Sequence, residues 1–157
     1  MTWPKLSIVI FANADPGACV RILTDCERLE HQNLEFEVIM VLQGLTGKVE
    51  AVLRDYQFSF NLKFVSVDEA TNRARGRNLG VGAAKNEIIL FLESTLEISP
   101  GLLYRHLEAY GDEATAAVMG EIYLSAFVKK NRWFRFLDSD YRSTRRWAAQ
   151  TGSNHSP

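Results

Sequence analysis

Apolar residues recur along this chain in short runs at even spacing. Residues 6–11 (LSIVIF), 36–42 (FEVIMVL), 62–67 (LKFVSV) and 88–92 (IILFL) are short and rich in β-branched side chains, so they are expected as strands. Two of them are almost continuously apolar, the pattern of strands covered on both faces. Residues 116–124 (AAVMGEIYL) are expected as a fifth strand, with Gly120 marking a bulge or a close backbone approach. Between the runs the period changes to that of a helix. Residues 17–31 place Ile22, Cys26 and Leu29 on one apolar side; Val49, Val52, Leu53 and Tyr56 repeat at helical spacing, as do Ala70, Ala74, Leu79 and Ala83. Leu102, Leu103, Leu107 and Tyr110 form a further face after Ser99-Pro100, where a cap followed by proline marks a helix start. Strands alternating with helices predict an α/β fold, a mostly parallel sheet with helices on both faces.

From Ser125 onward the pattern is lost. Residues 131–147 (NRWFRFLDSDYRSTRRW) mix aromatics with arginines, and 150–157 are polar. The expected organisation is therefore an α/β domain over 1–124 and a basic, aromatic C-terminal extension over 125–157.

A length of 157 residues favours one domain with its own core, and 46% hydrophobic with 24% charged residues is ordinary for a soluble globular protein. The net charge of −1 gives no overall case for nucleic acid. Its distribution is uneven: residues 129–146 hold seven Lys or Arg against Asp138 and Asp140, a local excess of five on an otherwise acidic body. Two readings of this segment stay open. It forms an amphipathic helix at a membrane surface, or its aromatics cover the sheet while the arginines remain in water. Cys19 and Cys26 are about two helical turns apart, too far to bridge, and are expected as packed thiols. The N-terminus lacks the features of a signal peptide and no apolar run reaches the roughly 18 residues of a spanning helix. A cytoplasmic location is expected, with contact at the inner membrane face as an addition.

In a parallel sheet, ligands bind outside the carboxyl ends of the strands. Those ends carry Ala12-Asn13-Ala14-Asp15-Pro16, Gln43-Gly44 and Glu93-Ser94-Thr95, and the helix bearing Arg73, Arg75 and Arg77 leads into the last of them. An amide, a carboxylate and guanidiniums in one crevice suit a phosphorylated ligand, because arginine binds phosphate bidentately. A solvated arginine face on an ordinary α/β protein is the competing reading. Gly76, Gly80 and Gly82 do not form a dinucleotide fingerprint, since they lie inside a helical pattern that precedes a strand. Small residues there are expected to let the helix lie close on the sheet. Neither a phosphate-loop lysine motif, a His-Cys metal cluster nor a hydrolytic triad is legible.

The stretch RGRNLGVGAAKNEIILFLES followed by SPGLL, with the opening strand LSIVI, Pro16 and FEVIMV, resembles the family 2-like glycosyltransferases of the GT-A fold. The likeness covers roughly 5–110. It implies a Rossmann-like sandwich and transfer of a sugar from a nucleotide-sugar donor to an acceptor. By the same resemblance Asn13 and Gln43 lie near the nucleotide, and Arg75 or Arg77 near phosphate, with Asn78 on the same helix motif. Glu93 and Thr95 fall where the family's aspartates hold Mg²⁺ or Mn²⁺. The departures are specific: Leu42-Gln43 replaces an aspartate pair, and Glu93-Ser94-Thr95 replaces Asp-x-Asp, leaving one carboxylate for a divalent ion. No catalytic base is assigned; Asp112, Glu113 and Glu121 are the nearest late carboxylates. The resemblance leaves three functions in play: a transferase, a non-catalytic binding module that retains the fold, and a subunit completed by a second copy or another chain.

Overall fold

The computed structural model describes residues 4–13, 15–29, 34–44, 46–53, 55–111, 115–120 and 122. Within them the order is β1 (Leu6–Asn13), α1 (Pro16–Glu27), β2 (Phe36–Gln43), α2 (Thr46–Leu53), β3 (Asn61–Val67), α3 (Arg73–Ala83), β4 (Ile88–Glu93) and α4 (Leu102–Ala109). All four apolar runs that end before residue 93 are strands. They form one sheet in the order β3-β2-β1-β4, every neighbouring pair parallel. The chain divides into two units, Met1–Val118 and Met119–Pro157, and the sheet belongs to the first.

The strand order dictates where the helices go. A right-handed crossover is the rule for parallel strands. Steps from β1 to β2 to β3 run one way across the sheet, and the step from β3 to β4 runs back past all of them. The returning helix must therefore cover the opposite face. The buried residues divide accordingly. Leu6, Ile8, Ile10 and Ala12 of β1 pack with Val38, Met40 and Leu42 of β2 against Cys19, Ile22, Leu23 and Cys26 of α1, Val49 and Leu53 of α2, and Leu103 and Leu107 of α4. The alternate residues Val9, Phe11, Ile39 and Val41 form the second core, joined by Ala83 at the end of α3.

Helix α1 starts where Asp15 caps it, its carboxylate accepting from Gly17 N–H at 3.0 Å, with proline at the first helical position. Cys19 and Cys26 are buried thiols on its inner side. Burial first, and then Asp15, pushes the Cys19 thiol up to about 11, while burial, Asp25 and Glu27 push Cys26 to about 12. Both hold their protons at neutral pH, which disfavours thiolate chemistry.

Three sequence expectations change in detail. Helix α4 begins at Leu102, not at Ser99-Pro100: the Ser99 carbonyl accepts from Leu102 N–H at 3.0 Å in a preceding turn, and its hydroxyl is taken by Arg105. Of the second helical face, Val49 and Leu53 are buried, but Val52 and Tyr56 are exposed; α2 ends at Leu53, and Tyr56 stacks on Phe58 outside it. The expected fifth strand is absent from residues 115–120, which are irregular. Ala116, Ala117 and Gly120 supply little β-propensity there, and Thr115 and Val118 do not offset them. Ile122 is irregular too, and the other residues of that run and the whole 125–157 extension lie outside the described residues. Among the described residues no helix is long and apolar enough to cross a membrane.

Helix α3 shows the largest departure. Its expected apolar face included Ala74 and Leu79, yet both are exposed, and the residues buried on the sheet are Gly76 and Gly80. A Cβ on Gly76 would stand 2.3 Å from Phe11 Cε2, and one on Gly80 would stand 2.5 Å from Val9 Cγ1 and 2.9 Å from Val41 Cγ2. The helix backbone thus rests directly on the strands. Gly82 meets nothing within 4 Å, so two of the three glycines have the expected packing role and the third does not.

Candidate functional site

Because strand order reverses at β1, the crevice of such a sheet opens outside the carboxyl ends of β1 and β4. Register defines what borders it. Asn13, the last residue of β1, pairs with Gln43, the last of β2, and Phe11 pairs with Glu93, the last of β4. Side chains alternate along a strand, so Glu93 and Gln43 project from the same face as Phe11 and Val41, the face α3 covers. The amino end of α3 arrives there directly from β3, through residues 68–72.

That loop is tied to the sheet by Gln43. Its Nε2 donates to the carbonyl oxygens of Glu69 and Thr71, both at 2.7 Å. Two close carbonyls fix the amide orientation, because the side-chain oxygen facing them would repel. Gly44 follows with φ of 88°, a left-handed turn that glycine adopts without steric cost, and its N–H reaches Val67 O at 3.2 Å. At the start of α3, Asn72 Oδ1 accepts from Arg75 N–H at 2.9 Å.

The glycine contacts seat α3 on β1 and β2, and arginines on one flank of it reach across to β4. Arg77 Nη2 donates to Glu93 Oε1 at 2.6 Å, and the guanidinium carbon lies 5.6 Å from the centre of the Phe91 ring. Arg73, one turn earlier, places Nε 3.6 Å from the same carboxylate oxygen. Arg77 Nε is buried and has no hydrogen-bond partner. Arg75 and Asn78 are exposed, and helical spacing sets them on other sides of α3, away from the flank shared by Arg73 and Arg77. Arg73, named in the sequence with the arginines of this helix but not among those the resemblance set near phosphate, is thus the second arginine at Glu93. Its spacing of four from Arg77 was the available signal, since such residues share a helix face.

Ser94 is buried, its N–H 3.4 Å from Phe11 O, while Thr95 beyond it is exposed. A divalent ion of the Mg²⁺ or Mn²⁺ type needs several oxygen ligands, usually carboxylates with substrate phosphates. Here one carboxylate is present and a guanidinium holds its Oε1. Among the described residues no group of three or more His, Cys, Asp or Glu is placed to hold a metal. This donor set does not fit such an ion: two positive charges already face Glu93, and a third would meet repulsion from both. Two guanidiniums against one carboxylate leave the cluster cationic, which suits an anion.

Among the described residues no candidate base emerges at the site. His106 lies in α4, where burial first and Arg105 second hold it below the usual imidazole range. Asp112, Glu113, Glu121, His31 and His155 fall outside the described residues.

Comparison with known proteins follows this geometry. The family described as Glycosyl transferase family 2 matches residues 8–155. The "Uncharacterized glycosyltransferase YfnE" of Bacillus subtilis (strain 168) is 30% identical over 86 residues, which are 55% of this chain and 22% of that protein. Among solved structures, S. aureus TarS 1-349 superposes with a TM-score of 0.60 at 20% identity, covering 68% of this chain and 32% of the other. The same protein in complex with UDP superposes with a TM-score of 0.57 at 22% identity, over the same shares. At these identities the structural likeness carries the fold, a GT-A-type α/β sandwich. The chain spans about a third or less of each relative's length.

Proposed function

This chain belongs to glycosyl transferase family 2, and from that premise we propose that its strand-end crevice binds the nucleotide of a nucleotide-sugar donor. The protein then transfers the sugar to an acceptor. The observation that carries this reading is the meeting of Asn13, Gln43, Glu93 and the Arg73–Arg77 flank at the carboxyl ends of β1, β2 and β4. That is the place where a doubly wound sheet receives its ligand, and there the Gln43 amide and a cationic cluster lie on one face of the sheet.

Roles divide by chemistry. Gln43 spends both N–H bonds on Glu69 and Thr71, so its oxygen is the group that accepts from the base, such as the imide N–H of uracil. Asn13, across the register from it, is the second contact to the nucleoside. The guanidiniums face the diphosphate, whose charge grows on the leaving oxygen as the glycosidic bond to the donor breaks. Stabilising that charge is a transition-state effect rather than plain affinity. The UDP complex of TarS supports uridine diphosphate as the first nucleotide to try.

Calorimetric titration of the chain with UDP and other nucleoside diphosphates tests this reading. Saturable binding in the micromolar range is expected. Failure of a well-folded sample to bind any of them would overturn it and leave a fold retained for contact rather than transfer.

A further inference from the structure

We propose that this site meets the diphosphate with guanidinium groups in place of a divalent ion: Arg77 and Arg73, gathered on one flank of α3 by Glu93, supply the positive charge. The inference rests on the nucleotide-binding reading above and adds to it the nature of the counter-charge.

Four observations converge on it. The acidic position at the end of β4 is occupied by one carboxylate, and that carboxylate already holds Arg77 at 2.6 Å, with Arg73 at 3.6 Å. Glu93 therefore acts on the arginines. It fixes Arg77 by a hydrogen bond and draws Arg73 toward the same oxygen by charge, where either side chain alone would sample many rotamers. The cluster is under-satisfied: a guanidinium offers five N–H donors, yet Arg77 keeps its Nε buried without an acceptor. Phe91 lies under the same guanidinium, 5.6 Å from ring centre to Arg77 Cζ, which orients its plane and adds a cation–π attraction. Finally, Arg73 and Arg77 side chains remain 62% and 38% exposed, so the remaining donors are open to a ligand.

The contrast with a metal site is chemical. A divalent ion needs deprotonated oxygen ligands and concentrates charge at a point, whereas two arginines spread it over planar forks that match phosphate oxygens. Replacing two aspartates by one glutamate removes a metal ligand and at the same time provides an anchor for arginine. Glu93 is a positioning residue in this scheme, and Arg77 and Arg73 are the groups that touch the ligand.

Titration of the full chain with UDP and with uridine, each in EDTA and in Mn²⁺, distinguishes the cases. UDP affinity is expected to agree within about threefold in the two buffers. Arg77→Lys should weaken UDP by at least about tenfold and leave uridine affinity unchanged, because a point charge cannot reproduce a bidentate contact. Arg73→Gln, at a largely exposed side chain, gives the same direction at roughly threefold to tenfold without a folding risk, as loss of one charged contact predicts. UDP binding seen only with Mn²⁺ would overturn the inference while the nucleotide-binding reading stands, and so would full UDP affinity in both variants. Absence of binding by UDP and by the other nucleoside diphosphates in both buffers would instead remove the nucleotide-binding reading, and this inference with it.

Discussion

Gly80→Val is expected to leave little stably folded protein. The first added carbon alone would stand 2.5 Å from Val9 and 2.9 Å from Val41, and both valines are fully buried in central strands. Neither can retreat, because β1 and β2 are packed on their other face as well. Overpacking a core typically costs about 1–3 kcal/mol. A branched residue between two rigid strands belongs at the top of that range or above it, a large share of the roughly 5–15 kcal/mol that holds a domain together. The gain in helix propensity on replacing glycine is under about 1 kcal/mol and does not offset it. The alternative is for α3 to lift away, which uncovers Val9, Phe11, Ile39 and Val41 and carries Arg73 and Arg77 off Glu93. Folding and site would then fail together. Gly82→Ala, in the same helix with nothing within 4 Å, should instead stabilise by up to about 1 kcal/mol. Urea midpoints of the two variants are expected to move in opposite directions. A Gly80→Val protein with parental stability would show that α3 does not rest on the sheet as described.

Glu37→Ala is expected to cost about 3 kcal/mol, the lower end of what removing one partner of a buried ion pair costs. Glu37 is the charged residue of β2 and is only 5% exposed. Its carboxylate accepts from Ser7 Oγ at 2.8 Å and from Lys85 N–H at 2.7 Å, and pairs with Lys63 Nζ at 2.8 Å. Asn86 extends the network, donating to Ser7 Oγ and to Leu6 O. Lys63 also reaches Ala83 O at 3.1 Å, so the cluster ties the starts of β1, β2 and β3 to the end of α3. Truncation strands three donors. Because the Lys63 side chain is 27% exposed, water recovers part of the loss, which places the estimate at the lower end.

The same carboxylate carries a pH dependence. Burial pushes its pKa up, but Lys63, the Lys85 N–H and Ser7 outweigh burial and hold it below the usual carboxylate range. The unfolded chain therefore takes up the proton at higher pH than the native one. Its contribution is complete above the ordinary carboxylate range and is lost as pH falls through that range toward the depressed native value. Stability measured from neutral pH down into acid should fall less steeply in Glu37→Ala than in the parent. An identical slope would remove Glu37 as a source of acid sensitivity.

Much of the fold was legible because the four strands are apolar runs with little else in them, and parallel pairing follows from their alternation with helices. What escaped was carried by residues without an apolar signature. Helix α3 packs through Gly76 and Gly80, so its inner face cannot be found by looking for leucine and alanine; Leu79 faces out because glycine lets the backbone itself fill the space. Glu37 reads as a lone charge in β2, since its partners Ser7, Lys63 and Lys85 lie 26 to 48 residues away in sequence. The run 116–124 reads as a strand by length and apolar content, but within 116–120 only Val118 is β-branched, between two alanines and Met119-Gly120.

The site was half legible for similar reasons. Strand ends locate Asn13, Gln43 and Glu93 once the strands are known. Their commitments are tertiary. Nothing near Gln43 in sequence indicates that its amide is spent on Glu69 and Thr71, and nothing near Glu93 indicates that Arg77 holds it. Arg75 attracts attention at the centre of the arginine run, yet helix geometry turns Arg73 and Arg77, on either side of it, toward β4.

Backbone amide shifts recorded while UDP is added test the central claim most directly. Perturbations are expected to concentrate at the strand ends and the start of α3: Asn13, Gln43 and Gly44, Arg73 to Arg77, and Glu93 to Thr95. The opposite end of the sheet, around Ser7, Glu37 and Asn86, should stay still. Shifts confined to that opposite end, or none at saturating nucleotide, would contradict the assignment of this crevice as the donor site.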